Sequence, residues 1–321
     1  MHILFIIDPL ESLAAYKDTS VSMMRALIAR GHEISVCEMT DIFVRDGLVL
    51  THSLALDIPQ EADLHSAHWW QPKGSSTEQA LSNFSAVIMR TDPPFDLEYM
   101  YATHLFDQAQ AQGARVFNSG AAIRNHPEKL SILEFPQFTA PTMVTSQMAH
   151  LHKFYQEHKD VVIKPLDGMG GERVFRLRPD EVNRNVIFET LTRHETETVM
   201  IQRYIPAIEQ GDKRVIIING QVVPYSLARI PLAGETRGNL AAGGRGVAQP
   251  LTENDRKIAE TLAPVLSERG LFVIGLDIIG DKLTEINVTS PTCFVEIAEQ
   301  SDFHVPNFFA EELERVVTTQ G

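Results

Sequence analysis

Gly275-Leu276-Asp277-Ile278-Ile279-Gly280-Asp281-Lys282-Leu283-Thr284-Glu285-Ile286-Asn287 reads as an apolar hairpin that carries acids. Glu285 and Asn287 lie two apart on a strand, so their side chains share a face. A three-residue loop of Gly280, Asp281 and Lys282 pairs Ile279 with Leu283 and sets Asp277 opposite Glu285. A two-residue turn sends Asp277 to the other face, because a one-residue slip inverts every side chain. In the first register two carboxylates and an amide carbonyl converge, a set that suits Mg2+ shared with phosphate oxygens. The plain alternative is a solvated hairpin face. Against it, every residue from Leu276 to Ile286 outside the turn is aliphatic apart from Thr284 and the acids themselves. Acids embedded in such a strand are costly without a partner.

Upstream, Val161-Val162-Ile163-Lys164-Pro165-Leu166-Asp167-Gly168-Met169-Gly170-Gly171 is a strand that ends in a lysine and a glycine-dense turn. Backbone amides without Cβ obstruction can approach phosphate oxygens. The turn is not a Walker loop and leads into a strand, so no helix dipole is available there. By itself it could be only a turn. Between this segment and the hairpin, 230–246 holds five glycines with Arg237 and Arg245. The spacing predicts a long mobile loop, and its guanidiniums suit a lid that closes on carboxylate or phosphate. Arg214 and Arg229 extend the cationic set, with Arg214 expected on a strand.

The first third alternates strand and helix. Strands are expected at 2–7, 32–39, 86–90 and 115–117, and helices from Thr19 and over 96–112, which is the pattern of a doubly wound parallel sheet. Asp46-Gly47 signals a hairpin turn, and no GxGxxG follows the first strand. The polar stretch 60–82 reads as a surface loop or a partly ordered segment, and His52, His65 and His68 read as solvated side chains rather than a metal site. From about residue 120 hairpins and helices mix, with an Asn219-Gly220 turn and a helix capped by Thr252 that runs to about Glu268. The expected organisation is a first segment of 1–122, a second of 123–206 with the glycine loop, and a third of 207–321 with the metal hairpin and the loop 230–246.

The chain has 321 residues and a formal charge of −14, with 44% hydrophobic and 22% charged residues. That length suits about two domains with sizeable cores, and the acidic balance disfavours nucleic acid and anionic membranes as partners. The two cysteines, Cys37 and Cys293, make no disulfide framework or zinc motif. No apolar stretch approaches the ~18 residues of a membrane span, and the N-terminal apolar run is too short for a signal peptide. A cytoplasmic protein is expected.

Together these stretches resemble the ATP-grasp ligases, and within them the prokaryotic-type glutathione synthetases. The likeness is carried by Asp8-Pro9, Met89 to Asp96, Asn125 to Leu130, Lys164 to Gly171, Asp212 to Arg214, Pro224 to Gly246 and Gly275 to Cys293. It implies an α/β N-terminal doubly wound domain followed by an ATP-grasp fold of two α+β subdomains. It implies ATP-dependent joining of γ-glutamylcysteine and glycine through an acyl phosphate, with Mg2+ or Mn2+ as cofactor and a homotetramer as the assembly. Carried over by position, Lys129 and Lys164 contact ATP phosphates and Gly168, Met169, Gly170 and Gly171 fold over them. Gln202, Arg203, Tyr204 and Ile205 lie along the adenine, with Asp212 near the ribose. Asp277, Glu285 and Asn287 hold the metal. Arg214, Arg229, Arg237 and Arg245 are the catalytic arginines; Arg214 and Arg229, with Ser290 and Thr292, bind the peptide substrate.

Two departures stand out: Thr91 where lysine is common in the family, and Arg203 where Asn or Glu is frequent. A Cys293 nucleophile is disfavoured, since its motif offers no base. Two other readings remain open. One is a different ATP-grasp carboxylate–amine ligase of the D-alanine–D-alanine or ribosomal-protein glutamate type, which lacks the Arg237-to-Arg245 loop as written here. The other is a catalytically silent nucleotide-binding regulator, whose expected erosion of Asp277, Glu285, Asn287 or the loop arginines is not seen.

Overall fold

The computed structural model describes residues 1–168, 170–232, 238 and 243–319. The sequence alternation becomes β1 (His2–Ile6), α1 (Thr19–Ala29), β2 (Glu33–Cys37), β3 (Ile42–Arg45), β4 (Leu48–Asp57), β5 (Gln71–Pro72), β6 (Thr77–Ala80), β7 (Ala86–Met89), α2 (Leu97–Ala111) and β8 (Val116–Phe117). Asp18 caps α1 by accepting the Val21 N–H at 2.8 Å. The sheet order is β3-β4-β2-β1-β7-β8. β2, β1, β7 and β8 are parallel, but β4 and its partners run antiparallel. The expected doubly wound parallel sheet is therefore the parallel half of a mixed one. The stretch 60–82 also departs from a plain surface loop. It contains β5 and β6, both paired to β4, and Trp69 is buried in the core. A polar segment around one buried aromatic gives little hydrophobic period from which to read strands. His52, His65 and His68 are exposed, as expected.

The second sheet is built after α3 (Gly120–Asn125) from β9 (Thr142–Thr145), α4 (Met148–His158), β10 (Val161–Pro165), β11 (Phe175–Leu177), α5 (Arg184–Thr192) and β12 (Val199–Arg203), in the order β11-β10-β12-β9. The third comprises β13 (Asp212–Ile218), β14 (Gln221–Ile230), β15 (Arg245–Pro250), α6 (Glu253–Glu268), β16 (Val273–Ile279) and β17 (Lys282–Asn287), in the order β15-β14-β13-β16-β17. α7 (Phe294–Gln300) and α8 (Val305–Thr319) follow. Thr252 and Asp255 form a reciprocal capping box on α6. Of the expected mobile loop 230–246, Ile230 belongs to β14 and Arg245 and Gly246 to β15, with Ile230 paired to Arg245; 233–237 and 239–242 lie outside the described residues.

The third sheet separates two cores by strand parity. Val215, Ile217, Ile274, Leu276 and Ile278 face α6 with Ile258, Leu262 and Leu266. Ile216, Ile218, Leu227 and Val273 join a core with Ile3 and Phe5 of β1, Met24 and Leu27 of α1, and Phe309 and Leu313 of α8. The last helix thus returns to the first sheet, against α1. A residue two places from Ile216, Val273 or Leu227 on its strand shares the face turned to the first sheet. Arg214, Gly275 and Arg229 occupy such positions, and Asp277 follows Gly275.

The hairpin of β16 and β17 corrects the sequence reading in one respect. Its turn has two residues, Gly280 and Asp281, and Ile279 pairs with Lys282 rather than Leu283. Gly280 sits at φ +60°, where a Cβ would also lie 2.9 Å from that of Ala207. A bulge at Thr284 then adds one residue to β17, so Asp277 still pairs with Glu285. The expected juxtaposition holds for a different reason. Leu283 and Ile286, three apart, both enter the α6 core, a spacing that an unbulged strand does not allow. The Thr284 hydroxyl donates to the Asp277 carbonyl at 3.0 Å inside the bulge. Thr284→Val is expected to lower stability by about 1 kcal/mol by removing that buried hydrogen bond, as measured by urea denaturation; an unchanged midpoint would show that the hydroxyl contributes nothing.

Candidate active site

Strand pairing places Asp212 opposite Arg229 and Arg214 opposite Asp277, so acids and arginines alternate across β14, β13 and β16. Arg214 Nε and Nη2 donate to the two Asp277 carboxylate oxygens at 2.6 and 3.1 Å. Arg229 Nη2 bridges Asp277, at 3.0 Å, and Asp212, at 2.5 Å. All three of Arg214, Arg229 and Asp277 are buried. Gly275 makes this approach feasible: a Cβ there would stand 2.9 Å from Arg214 Cδ and 3.0 Å from Pro291. Burial alone would raise the Asp277 pKa, but the two guanidiniums outweigh it and hold the carboxyl well below its ordinary range. Among the described residues Arg229 is the cation that pairs with Asp212. Burial and the nearby Asp277 charge push it up to about 6.

On the neighbouring strand, burial of Glu285 is outweighed by Lys164 and Lys129, which lower its pKa. Their ammonium groups stand 3.3 and 3.8 Å from the same carboxylate oxygen. Lys129 also donates to the Gly168 carbonyl at 2.5 Å, tying the glycine turn to this cluster. Gly170 and Gly171 adopt φ of +61° and +82°, left-handed values that glycine takes without strain. Asn287 donates its amide to Gly275 O at 3.2 Å, which leaves the side-chain oxygen outside that bond.

Two cavities meet here. The first, of about 230 Å³, is lined by Arg214, Arg229, Asp277, Glu285, Asn287 and Ser290, together with Thr292 and Gly170. The second, of about 120 Å³, is bounded by Lys164, Gln202, Arg203, Tyr204, Ile205 and Asp212. Gln202 is held by a 2.9 Å bond to Thr142 Oγ1. Arg203 is exposed. Arg245 opens β15, is exposed and lines neither cavity. Arg237 and Met169 lie outside the described residues.

Sequence reasoning missed several lining groups. Asp92 lines the first cavity and accepts the Ser290 hydroxyl. Arg176 lines the second, stacked 3.4 Å from the Tyr204 ring centroid and held by Asp160 at 2.9 and 2.7 Å. Its position beside a glycine turn carried no residue-level signal. Glu128 also lines the first cavity, with the Thr289 hydroxyl 3.1 Å from its carboxylate. Burial, with the Glu285 charge second, pushes Glu128 up to about 7. Cys293 is buried, which raises its thiol pKa and keeps it protonated.

The donor set fits a hard divalent cation shared with phosphate. Among the described residues no three His, Cys, Asp or Glu side chains form a metal cage. Two carboxylates and an amide oxygen would supply part of an oxygen shell for such a cation, the rest coming from a nucleotide and water. The lysines and arginines around them suit a polyphosphate and a substrate carboxylate.

The comparisons with known proteins agree with this chemistry. Residues 1–124 match the model of the prokaryotic glutathione synthetase N-terminal domain, and 128–302 that of its ATP-grasp domain. The glutathione synthetase of Bordetella parapertussis is 60% identical over 314 residues, covering 98% of this chain and 99% of that one. That of Neisseria meningitidis serogroup A is 53% identical, covering 97% and 98%. Among solved structures, D-cycloserine synthetase superposes with a TM-score of 0.68 at 16% identity, covering 98% of this chain and 99% of that one. An ATP-grasp ligase complexed with a minimal precursor, Mg and ADP gives 0.62 at 16%, covering 99% and 98%. These likenesses give the chain the ATP-grasp fold behind a distinct N-terminal domain.

The raised Glu128 carboxyl has a pH consequence. Its folded pKa exceeds the ordinary 4.5, so its contribution to stability is fully present below about pH 4.5 and is lost as pH rises through about 7. Relative to wild type, Glu128→Gln should gain stability over that window, by no more than about 3 kcal/mol. Denaturant titrations at pH 5 and 7.5 measure it; parallel pH dependences would refute the shift.

Proposed function

The chain belongs to the prokaryotic glutathione synthetase family and is an ATP-dependent ligase that makes glutathione; on that premise we propose that it phosphorylates the carboxylate of γ-glutamylcysteine and passes the acyl group to glycine. The observation that carries this reading is the junction of the two cavities. Lys164 lines the second, and its ammonium lies 3.3 Å from Glu285, which lines the first.

In the proposed arrangement the adenine takes the cavity beside Gln202, Arg203, Tyr204 and Ile205, with Asp212 toward the ribose. Lys129, Lys164 and the amides of Gly168, Met169, Gly170 and Gly171 bind the phosphates. Asp277, Glu285 and Asn287 hold Mg2+ or Mn2+, which when bound neutralises charge on the transferring phosphoryl group. Arg214 spends Nε and Nη2 on the Asp277 carboxylate, and Arg229 spends Nε on the Asp212 backbone carbonyl and Nη2 on the Asp212 and Asp277 carboxylates, so their Nη1 groups serve the substrate carboxylate and the acyl phosphate. Arg237 and Arg245 close over it, and Ser290 and Thr292 hold the peptide. No side-chain nucleophile is needed, because positioning and charge neutralisation account for most of phosphoryl transfer. The family likeness further points to a cytoplasmic homotetramer that binds neither nucleic acid nor membrane; among the described residues no helix is long and apolar enough to cross one.

Phosphate release is expected only when ATP, Mg2+, γ-glutamylcysteine and glycine are all present. Equal release with D-alanine in place of both amino substrates would overturn the substrate assignment. Arg229→Lys keeps the charge but loses the fork that spans Asp212 and Asp277, and should lower kcat by about 100-fold; unchanged steady-state turnover would remove Arg229 from the machinery.

A further inference from the structure

Asn118 sits outside both cavities, directly after β8, and is 4% exposed. Its amide makes four hydrogen bonds, all to the backbone of the metal hairpin's open end. The side-chain oxygen accepts the N–H groups of Phe272 and Val273 at 2.6 and 2.9 Å. The nitrogen donates to the carbonyls of Val273 and Val288 at 2.9 and 2.7 Å. Two N–H donors on one side and two carbonyls on the other fix the amide orientation, since the flipped form would oppose like groups. One side chain thereby joins the residue before β16, the first residue of β16 and the residue after Asn287. The next residue adds a backbone bond from Ser119 N–H to Gly270 O at 3.1 Å.

The segment that Asn118 begins ends in the active site. It runs through α3 to Glu128 and Lys129, and there the chain is pinned again by the Ile286 N–H, which donates to Glu128 O at 2.9 Å. The stretch from Asn118 to Lys129 is therefore tied to the hairpin at both ends, and Lys129 reaches Glu285 across the second tie. Lys213 holds the opposite, turn end of the hairpin, by donating to Asp255 and to Gly280 O at 2.5 and 2.9 Å.

We propose that Asn118 is a positioning residue for the ligase reaction: its four bonds fix the N-terminal domain to both strands of the metal hairpin and so set Lys129 against Glu285. The inference rests on the assignment of that hairpin to the active site. No other side-chain amide reproduces the role at this reach. Aspartate accepts but cannot donate, so the Val273 and Val288 carbonyls would face an acid; alanine leaves all four groups unpaired.

The test compares Asn118→Asp and Asn118→Ala with Val49→Ala, a buried change in β4 that disturbs packing away from the hairpin. Both Asn118 variants should lose about 10- to 100-fold in kcat, as expected for loosened geometry, with KM for ATP changed less than about threefold. Amide exchange across 273–288 should accelerate in them, but not in Val49→Ala at an equal loss of Tm. If Asn118→Asp does not fold, Asn118→Ser, which keeps one donor–acceptor group on a shorter chain, takes its place with the same expectation. Normal kcat, or exchange no faster than in the Val49→Ala control, overturns the proposal. A hairpin that is not catalytic fails differently: Glu285→Gln would keep full turnover whatever Asn118 does.

Discussion

The carboxylate of Asp277, buried between the guanidiniums of Arg214 and Arg229, is the constraint around which the site is built. An acid in the interior is tolerated only with close partners of opposite charge and good hydrogen-bond geometry. Here both partners come from adjacent strands of the same sheet, and their reach depends on a glycine at 275 and on strand parity. Removing one partner would strand a charge on the face turned toward the N-terminal domain. The same ladder presents Arg214, Arg229 and Asp277 to the first cavity and Asp212 to the second.

Charge in the molecule divides accordingly. The formal total is −14, yet residues 203–245 carry six Lys/Arg against three acids. An acidic exterior suits a partner that is not a polyanion, while the cationic segment suits small anions held at close range. The carboxylates respond to the same local balance. Asp277, bonded to two guanidiniums, stays ionised, and Asp212, where burial outweighs the attraction of Arg229, is pushed up. Glu128, buried beside Glu285, rises further toward neutrality. Three acids of one region thus differ in acidity because their surroundings differ.

Much of this was legible in the sequence where chemistry and period coincide. The Asp277, Glu285 and Asn287 trio, the Lys164 strand, the Asn219-Gly220 turn and the Thr252 cap each combine a residue type with a spacing that dictates its place. The bulge was harder to see, although Leu283 and Ile286, three apart in an otherwise alternating strand, record it. Asp92, Glu128, Arg176 and Asn118 were invisible as site residues, because their roles arise from contacts between segments far apart in the chain. In the antiparallel half of the first sheet the Asp46-Gly47 turn announced the β3–β4 hairpin, but β5 and β6 escaped, as short, polar strands without a hydrophobic alternation. The return of α8 to the first sheet is likewise a tertiary fact that its amphipathic pattern alone does not specify.

The central claim is that Asp277, Glu285 and Asn287, aligned by the bulge, bind a divalent cation together with the nucleotide. Electron paramagnetic resonance of Mn2+ in the presence of ADP measures this directly in wild type and Glu285→Gln. The account predicts bound Mn2+ in wild type and an affinity weakened by about tenfold or more in the variant, with the folded state retained. Equal Mn2+ affinity in the two proteins would contradict it.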